Sequence, residues 1–510
     1  MLLRTRRVAA GLAVTITGAG LVGLPSTPAK ATATIARPLL ELTATADHGE
    51  IVRYGHDGWI DFTGLGVGVD APWRTFEIRA RRSYGQPITL ELVRRTADGM
   101  VTRPLPADLA GDDFSALDDF FLLEVTDRAG NVVMKQHLGF CPNGYESWRV
   151  NPNGPTESTF PQMCSGSLWT KGMTFGIDRG WSVPALGGLN GSSELNPIDV
   201  PDGDYRFRFW IRSAWRDALR LPTATSRIAM NVTIRTETYT CPPFCEGDGR
   251  PAPGLRTTFS NSAHLGPTGR TQFSSIDPNT LPDLRALPAW QMDVANDGGR
   301  DYLNFAANVW NAGPQPLVVE GFRRRNAAIM DAHQFFYRNG KVVGSRLVGE
   351  MEFHRGGGHD HWHFRDFAKY ELTGADKTDI QRSGKEAFCL APTDAIDLTV
   401  RNAEYRPGST GLGTACGGPT ARWIREVLPS GWGDTYGQYL AGQAFDITDL
   451  PNGTYFVKVV ANPDHRLIER NLDNNTAYRK VILGGEPGAR TVVVPPYRGI
   501  DTEAGWIHHD

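Results

Sequence analysis

The chain has 510 residues, 40% apolar and 21% charged, a globular balance that argues against a wholly disordered or fibrous protein. At roughly 150 residues per domain the length predicts about three units, and 57 Gly with 34 Pro favour strands and loops over helical bundles. A net charge of −3 argues against a nucleic-acid binder, which would carry a basic stripe.

Residues 1–31 read as a secretory signal peptide. MLLRTRR is a basic start, Val8 to Leu24 is apolar, and Ala29-Lys30-Ala31 has the small-x-small form of a cleavage site. Thr5-Arg6-Arg7 leaves Sec and Tat export both open. The expectation is a secreted protein with no membrane span after cleavage. Export permits disulfides among Cys141, Cys164, Cys241, Cys245, Cys389 and Cys416.

The rest of the chain predicts an all-β fold. Alternating segments such as Tyr205–Ile211 and Tyr455–Val460 are punctuated by Gly, Pro, Asn and Asp at sandwich-like spacing. Two stretches repeat in order. Residues 76–92 match 303–321; Phe140-Cys141 matches Phe388-Cys389; Cys164 matches Cys416; Gly180-Trp181 matches Gly431-Trp432; and DVPDGDYRF (199–207) matches TDLPNGTYF (448–456). The expected organisation is two tandem related β-sandwiches, 32–240 and 284–484, with a linker at 241–283 and a Gly/Pro-rich tail at 485–510. The symmetry favours the pairs 141–164 and 389–416, leaving 241–245 as a local loop.

In the second repeat, His359, His361 and His363 fall within five residues, just after Gly356-Gly357-Gly358. A strand's period of two puts all three on one face, and three imidazoles suit Cu(II) or Zn(II). A straight strand would separate the outer two by about 13 Å, so the segment must bend. The matching stretch of repeat one, near Asp112–Phe120, has no histidine. The fold therefore does not require the triad. Lys385 and Tyr436 are also special to repeat two; their counterparts are about His137 and Ala185.

These residues resemble the catalytic domain of lysyl oxidases over roughly 280–484. The resemblance rests on Leu281-Pro-Asp-Leu, the His triad with a following Asp-Phe, Gly384-Lys-Glu-Ala-Phe-Cys-Leu, Trp432-Gly-Asp-Thr-Tyr and Asp446-Ile-Thr-Asp. It implies that His359, His361 and His363 hold copper, and that Lys385 and Tyr436 form lysine tyrosylquinone, the family's self-derived cofactor. It implies oxidation of protein lysine side chains or small primary amines by O2 to aldehydes, with release of ammonia and hydrogen peroxide. Asp366 is a candidate general base by its proximity to the triad. The chain departs from the animal pattern in having Gly358 where a cysteine precedes the first ligand, and Lys369 where a histidine stands. Two other functions compete with this reading: a non-catalytic extracellular metal-binding or adhesion sandwich, and a zinc hydrolase. Neither has a use for Lys385 and Tyr436.

Overall fold

The computed structural model describes residues 37–54, 59–60, 65–144, 147–185, 200–237, 276–324, 327–354, 361–384, 387–408 and 411–503. The leader, Cys241, Cys245, His359 and Lys385 lie outside these residues.

The described chain is mostly strand, in several sheets. Strand faces follow the sequence pattern. In Gly203–Ile211, Phe207, Phe209 and Ile211 are buried while Arg206 and Arg208 face outward. Leu317–Arg323 is buried throughout, as expected for a strand covered on both faces.

Three sheets occur in each half, and their strand orders run in parallel. In the first half, one sheet orders Glu41–Ala44, Val67–Asp70, Trp181–Pro184 and Trp148–Arg149. In the second half the order is Leu284–Ala286, Arg300–Asn311, Trp432–Tyr436 and Asp394–Ala395. A second sheet orders Gly172–Ile177, Phe76–Arg81, Thr89–Thr96 and Gly99–Pro104; its counterpart orders Trp423–Leu428, Leu317–Arg323, Ile329–Arg338 and Lys341–Phe353. The third contains Arg227–Glu237, Gly203–Ile211, Leu117–Thr126 and Val132–Phe140 in one half, and Thr476–Glu486, Gly453–Ala461, Ala368–Thr373 and Asp379–Arg382 in the other. By pairing partner, Phe76–Arg81 corresponds to Leu317–Arg323. The sequence match of 76–92 to 303–321 is therefore one strand out of step. Strand periodicity is the same in every strand, so a shift by one whole strand preserves the hydrophobic pattern.

The halves differ in several places among the described residues, two of which concern the second and third sheets. The third sheet's added strand is His48–Tyr54, parallel, in the first half and Ala489–Val493, antiparallel, in the second. The second sheet is extended only in the second half, by Trp362–Arg365 and then Ala387–Phe388. In the first half the corresponding position has a single bridge, Phe114 to Ser165.

Cys141 pairs with Cys164 and Cys389 with Cys416. No helix among the described residues is long and apolar enough to cross a membrane.

Residues 38–510 make one compact unit, in which segment 394–400 of the second half runs beside the Gly172–Ile177 strand of the first. Lys171 N–H donates to Ile396 O, Leu398 N–H to Gly172 O, and Thr174 Oγ1 to Leu398 O. An added Cβ at Gly172 would press on the Asp397 and Thr399 side chains, so glycine eases this approach. Beside it, Trp169 of the first half shares an apolar cluster with Leu287, Trp290, Ala306, Trp310 and Ile396 of the second.

Candidate active site

The strand Lys341–Phe353 returns as Trp362–Arg365, with Phe353 opposite Trp362 and Glu352 opposite His363. The hairpin is closed by His354 N–H donating to His361 O. His361 lies at a bend just before the strand, so its ring swings toward His363 instead of continuing the straight spacing. The two ring centres are 4.6 Å apart, a spacing that suits two ligands on one small ion with nitrogens about 2.0–2.1 Å from the metal. His363 is almost fully buried. His354, absent from the sequence-based candidates, joins them: its ring centre is 4.5 Å from that of His363, and its Nε2 is 2.7 Å from Glu352 Oε1. In sequence His354 stands outside the His-rich run, and hairpin register brings it beside His363. Among the described residues no group of three His, Cys, Asp or Glu side chains is arranged to hold a metal. His359 lies outside them.

The extra strand links the histidines to the other candidates. Phe364 pairs with Phe388, next to Cys389. The Tyr436 hydroxyl donates to Cys389 O at 3.2 Å, and its ring meets Phe388 edge-on at 4.9 Å. Trp362 N–H donates to Cys416 O. The Cys389–Cys416 disulfide thus ties the segment contacted by Tyr436 to the residue between His361 and His363. Tyr436 belongs to a different sheet from His363, and its side chain contacts Phe388 and Cys389, on and just after the strand that pairs with the strand of His363.

Two buried carboxyl groups join these residues, and neither was among the sequence-based candidates. Asp434, two residues before Tyr436 and on the same strand face, forms a side-chain hydrogen bond with it. Glu426 is fully buried, and its Oε2 accepts Leu390 N–H at 3.1 Å. Glu426 is thereby tied to the segment after Lys385. Burial pushes the Glu426 carboxyl well above the usual carboxylate range, with Asp434 adding to the rise. Burial, then Asp434, likewise holds the Tyr436 phenol well above its usual range. Burial thus favours the protonated form of both groups.

Counting back or forward from the matched Gly-Trp pairs, the first half has Phe175, Val183 and Ala185 where the second has Glu426, Asp434 and Tyr436. Phe175, Val183 and Ala185 are buried apolar residues. The internal comparison that singled out Tyr436 would have found both acids had it been carried along the neighbouring strand.

Asp366 occupies a left-handed turn (φ 62°) between Trp362–Arg365 and Ala368–Thr373, with Arg466 Nη1 3.8 Å from its Oδ2. Lys369 forms an ion pair with Glu371 at 2.7 Å. The described geometry gives both residues structural partners; the carboxylate against Tyr436 is Asp434.

Residues 339–491 match the family model described as lysyl oxidase, a stretch that contains all of these residues. Among curated proteins, lysyl oxidase homolog 3B of Danio rerio is 30% identical over 119 residues, covering 23% of this chain and 13% of that protein. Lysyl oxidase homolog 2 of Gallus gallus and of Homo sapiens are each 29% identical over 119 residues, again 13% of their lengths. The match spans about an eighth of these relatives, and the C-terminal region of the chain carries a lysyl oxidase family domain.

Proposed function

We propose that the chain is a secreted, copper-dependent oxidase of primary amines, with its active site in a catalytic domain at 284–484. Peptidyl lysine is the first substrate class to test, and free primary amines the second. The net reaction takes an amine R–CH2–NH2, O2 and water to the aldehyde R–CHO, ammonia and hydrogen peroxide. The two electrons leave the substrate carbon and reduce O2. The observation that supports the reading is the contact of Tyr436 with Phe388 and Cys389, beside an added strand pair that carries His363 and has no counterpart strands among the described residues of the first half.

His359, His361 and His363 would hold copper. When formed, the quinone made from Lys385 and Tyr436 supplies the electrophilic carbonyl that takes up the amine, and copper supports the chemistry of O2. The remaining work belongs to the chain. Phe388 and the Cys389 carbonyl fix the Tyr436 ring, so that it cannot turn freely about its side-chain bonds. Asp434 is placed to accept the phenolic proton, since it hydrogen-bonds that hydroxyl in a buried setting. Glu426 anchors the Leu390 segment through its backbone amide. In this reading Asp366 is a turn residue.

The test uses copper-loaded protein kept under air, with phenylhydrazine as the probe. A visible adduct band is expected, together with peroxide release on adding a lysine-containing peptide. Tyr436→Phe is expected to bind copper with unchanged stoichiometry and to give neither signal. An adduct band of equal intensity in that variant would overturn the assignment of Tyr436.

A further inference from the structure

We infer that Arg323 is a positioning residue for the histidine segment. It clamps the Trp362 side chain, between His361 and His363, onto the loop that starts at Cys416. This role rests on the reading of His361 and His363 as copper ligands.

Trp362 is the anchor of the histidine segment. It opens the strand Trp362–Arg365 and pairs with Phe353 on one side. On the other side its backbone N–H donates to Cys416 O at 3.0 Å. The side chain is fully buried, and its indole N–H donates to Gly418 O at 3.0 Å. Successive side chains along a strand leave by opposite faces. Fixing the indole on one face therefore fixes where the neighbouring imidazoles leave on the other.

Arg323 holds the indole in place. It ends the strand Leu317–Arg323 and is almost fully buried. Its guanidinium carbon lies 5.1 Å from the centre of the Trp362 ring. Its Nη1 donates to Pro419 O at 2.7 Å and to Ala421 O at 3.1 Å, and its Nε to Ala327 O at 3.2 Å. A guanidinium carries several donors in a rigid fork, so one side chain gathers these carbonyls and still presents its face to a ring. The loop from Cys416 to Ala421 thus gives carbonyls to Trp362 and Arg323 alike, and the three lock together.

The first half contains the same clamp without histidines. Arg82 N–H donates to Lys171 O, and Arg323 N–H to Arg422 O. Lys171 and Arg422 stand equally far before the matched Trp181 and Trp432. The Arg82 guanidinium lies 5.2 Å from the centre of the Phe114 ring and donates to the Leu168 and Thr170 carbonyls. Phe114 bridges Ser165, next to Cys164 of the other disulfide. The clamp therefore belongs to the repeat, and the second half uses it to seat a histidine strand. One change accompanies that use: Trp362 replaces the phenylalanine and adds the indole donor to Gly418 O. Arg82 is accordingly a matched control within the same molecule.

The test compares Arg323→Met with Arg82→Met in the full chain. Hydrogen–deuterium exchange is read on metal-free protein, and Cu(II) affinity by chelator competition together with the Cu(II) electron paramagnetic resonance spectrum. Arg323→Met should raise exchange at residues 361–365 about tenfold, weaken copper binding about tenfold and change the spectrum. Arg82→Met breaks the equivalent bonds and should lower stability in urea with copper affinity and spectrum unchanged. Arg323→Lys, which keeps the charge and loses the fork, carries the same expectations if Arg323→Met does not fold. Parent-like copper affinity and spectrum in a folded Arg323 variant, or an equal change in Arg82→Met, would overturn the assignment. A parent chain that takes up no copper would instead refute the proposed function. Exchange then decides the clamp, and parent-like exchange at 361–365 in the Arg323 variants overturns it.

Discussion

At the level of single residues, the second half differs from the first by replacing apolar groups with ionisable ones inside a core. Glu426 stands where Phe175 fills the first half, and Asp434 where Val183 does. Burying two carboxyl groups near each other opposes ionising both, and this decides how Glu426 behaves. Its folded pKa is raised, so between the unfolded value and the folded one the native state holds a proton that the unfolded chain has released. The contribution is therefore complete below the unfolded carboxylate range and is lost as pH rises through it toward the folded value. Glu426→Gln keeps an acceptor for Leu390 N–H and removes this dependence. Relative to the variant, the parent protein is expected to lose stability as pH rises from the unfolded carboxylate range toward the raised folded value, by up to about 1.4 kcal/mol per pH unit within that interval. Urea unfolding from pH 5 to pH 8 measures it, and identical slopes in the two proteins would show that Glu426 is ionised in the native state.

At the level of elements, the site depends on two strands added to one sheet, Trp362–Arg365 and Ala387–Phe388, and on the disulfide that holds them. The His-rich segment was legible in the sequence because three imidazoles in five residues are rare without a ligand to hold. The bend at His361 was also legible, because a straight strand separates its ends too far for one ion. What was not legible was His354, since its approach to His363 depends on hairpin register and not on sequence spacing. The match of 76–92 to 303–321 went one strand astray for a related reason: alternation identifies a strand but not its neighbours. The disulfide closes a separation of 27 residues, and chain entropy alone assigns it about 3 to 4 kcal/mol. Replacing Cys389 and Cys416 together by Ser should lower stability by that amount in urea. It should also slow formation of the phenylhydrazine-reactive species more than it weakens copper binding, because the disulfide ties Cys389, which accepts from Tyr436, to the histidine strand.

At the level of the whole molecule, the first half acts as a brace. Ser165 Oγ and Thr170 Oγ1 both donate to Ala395 O, at 3.1 and 2.8 Å. Ala395 is paired with Trp432 on the strand that carries Tyr436. Two buried hydroxyls from one half thus fix a carbonyl one strand away from the proposed cofactor tyrosine. Removing both, as Ser165→Ala with Thr170→Val, leaves that carbonyl without its donors and should cost about 2 kcal/mol. Copper affinity should be unchanged while the adduct band develops more slowly. Unchanged kinetics in a variant that shows the stability loss would limit the brace to folding. The same packing explains why Pro38–Asp510 is one unit although the sequence reads as two repeats: Trp169, Trp290, Trp310 and Ile396 bury one another across the junction.

The sequence by itself determined the strand class, the repeating landmarks and the two described disulfides, and it set the histidine segment and Tyr436 apart from their counterparts in the first half. Each of these is a local or internally repeated pattern, and strand alternation, cysteine spacing and a cluster of one residue type are visible without folding the chain. Only the tertiary structure decided that His354 joins the histidines and that Glu426 and Asp434 flank Tyr436. These arise where residues distant in sequence meet, and that meeting is set by strand register and by the packing of one half on the other.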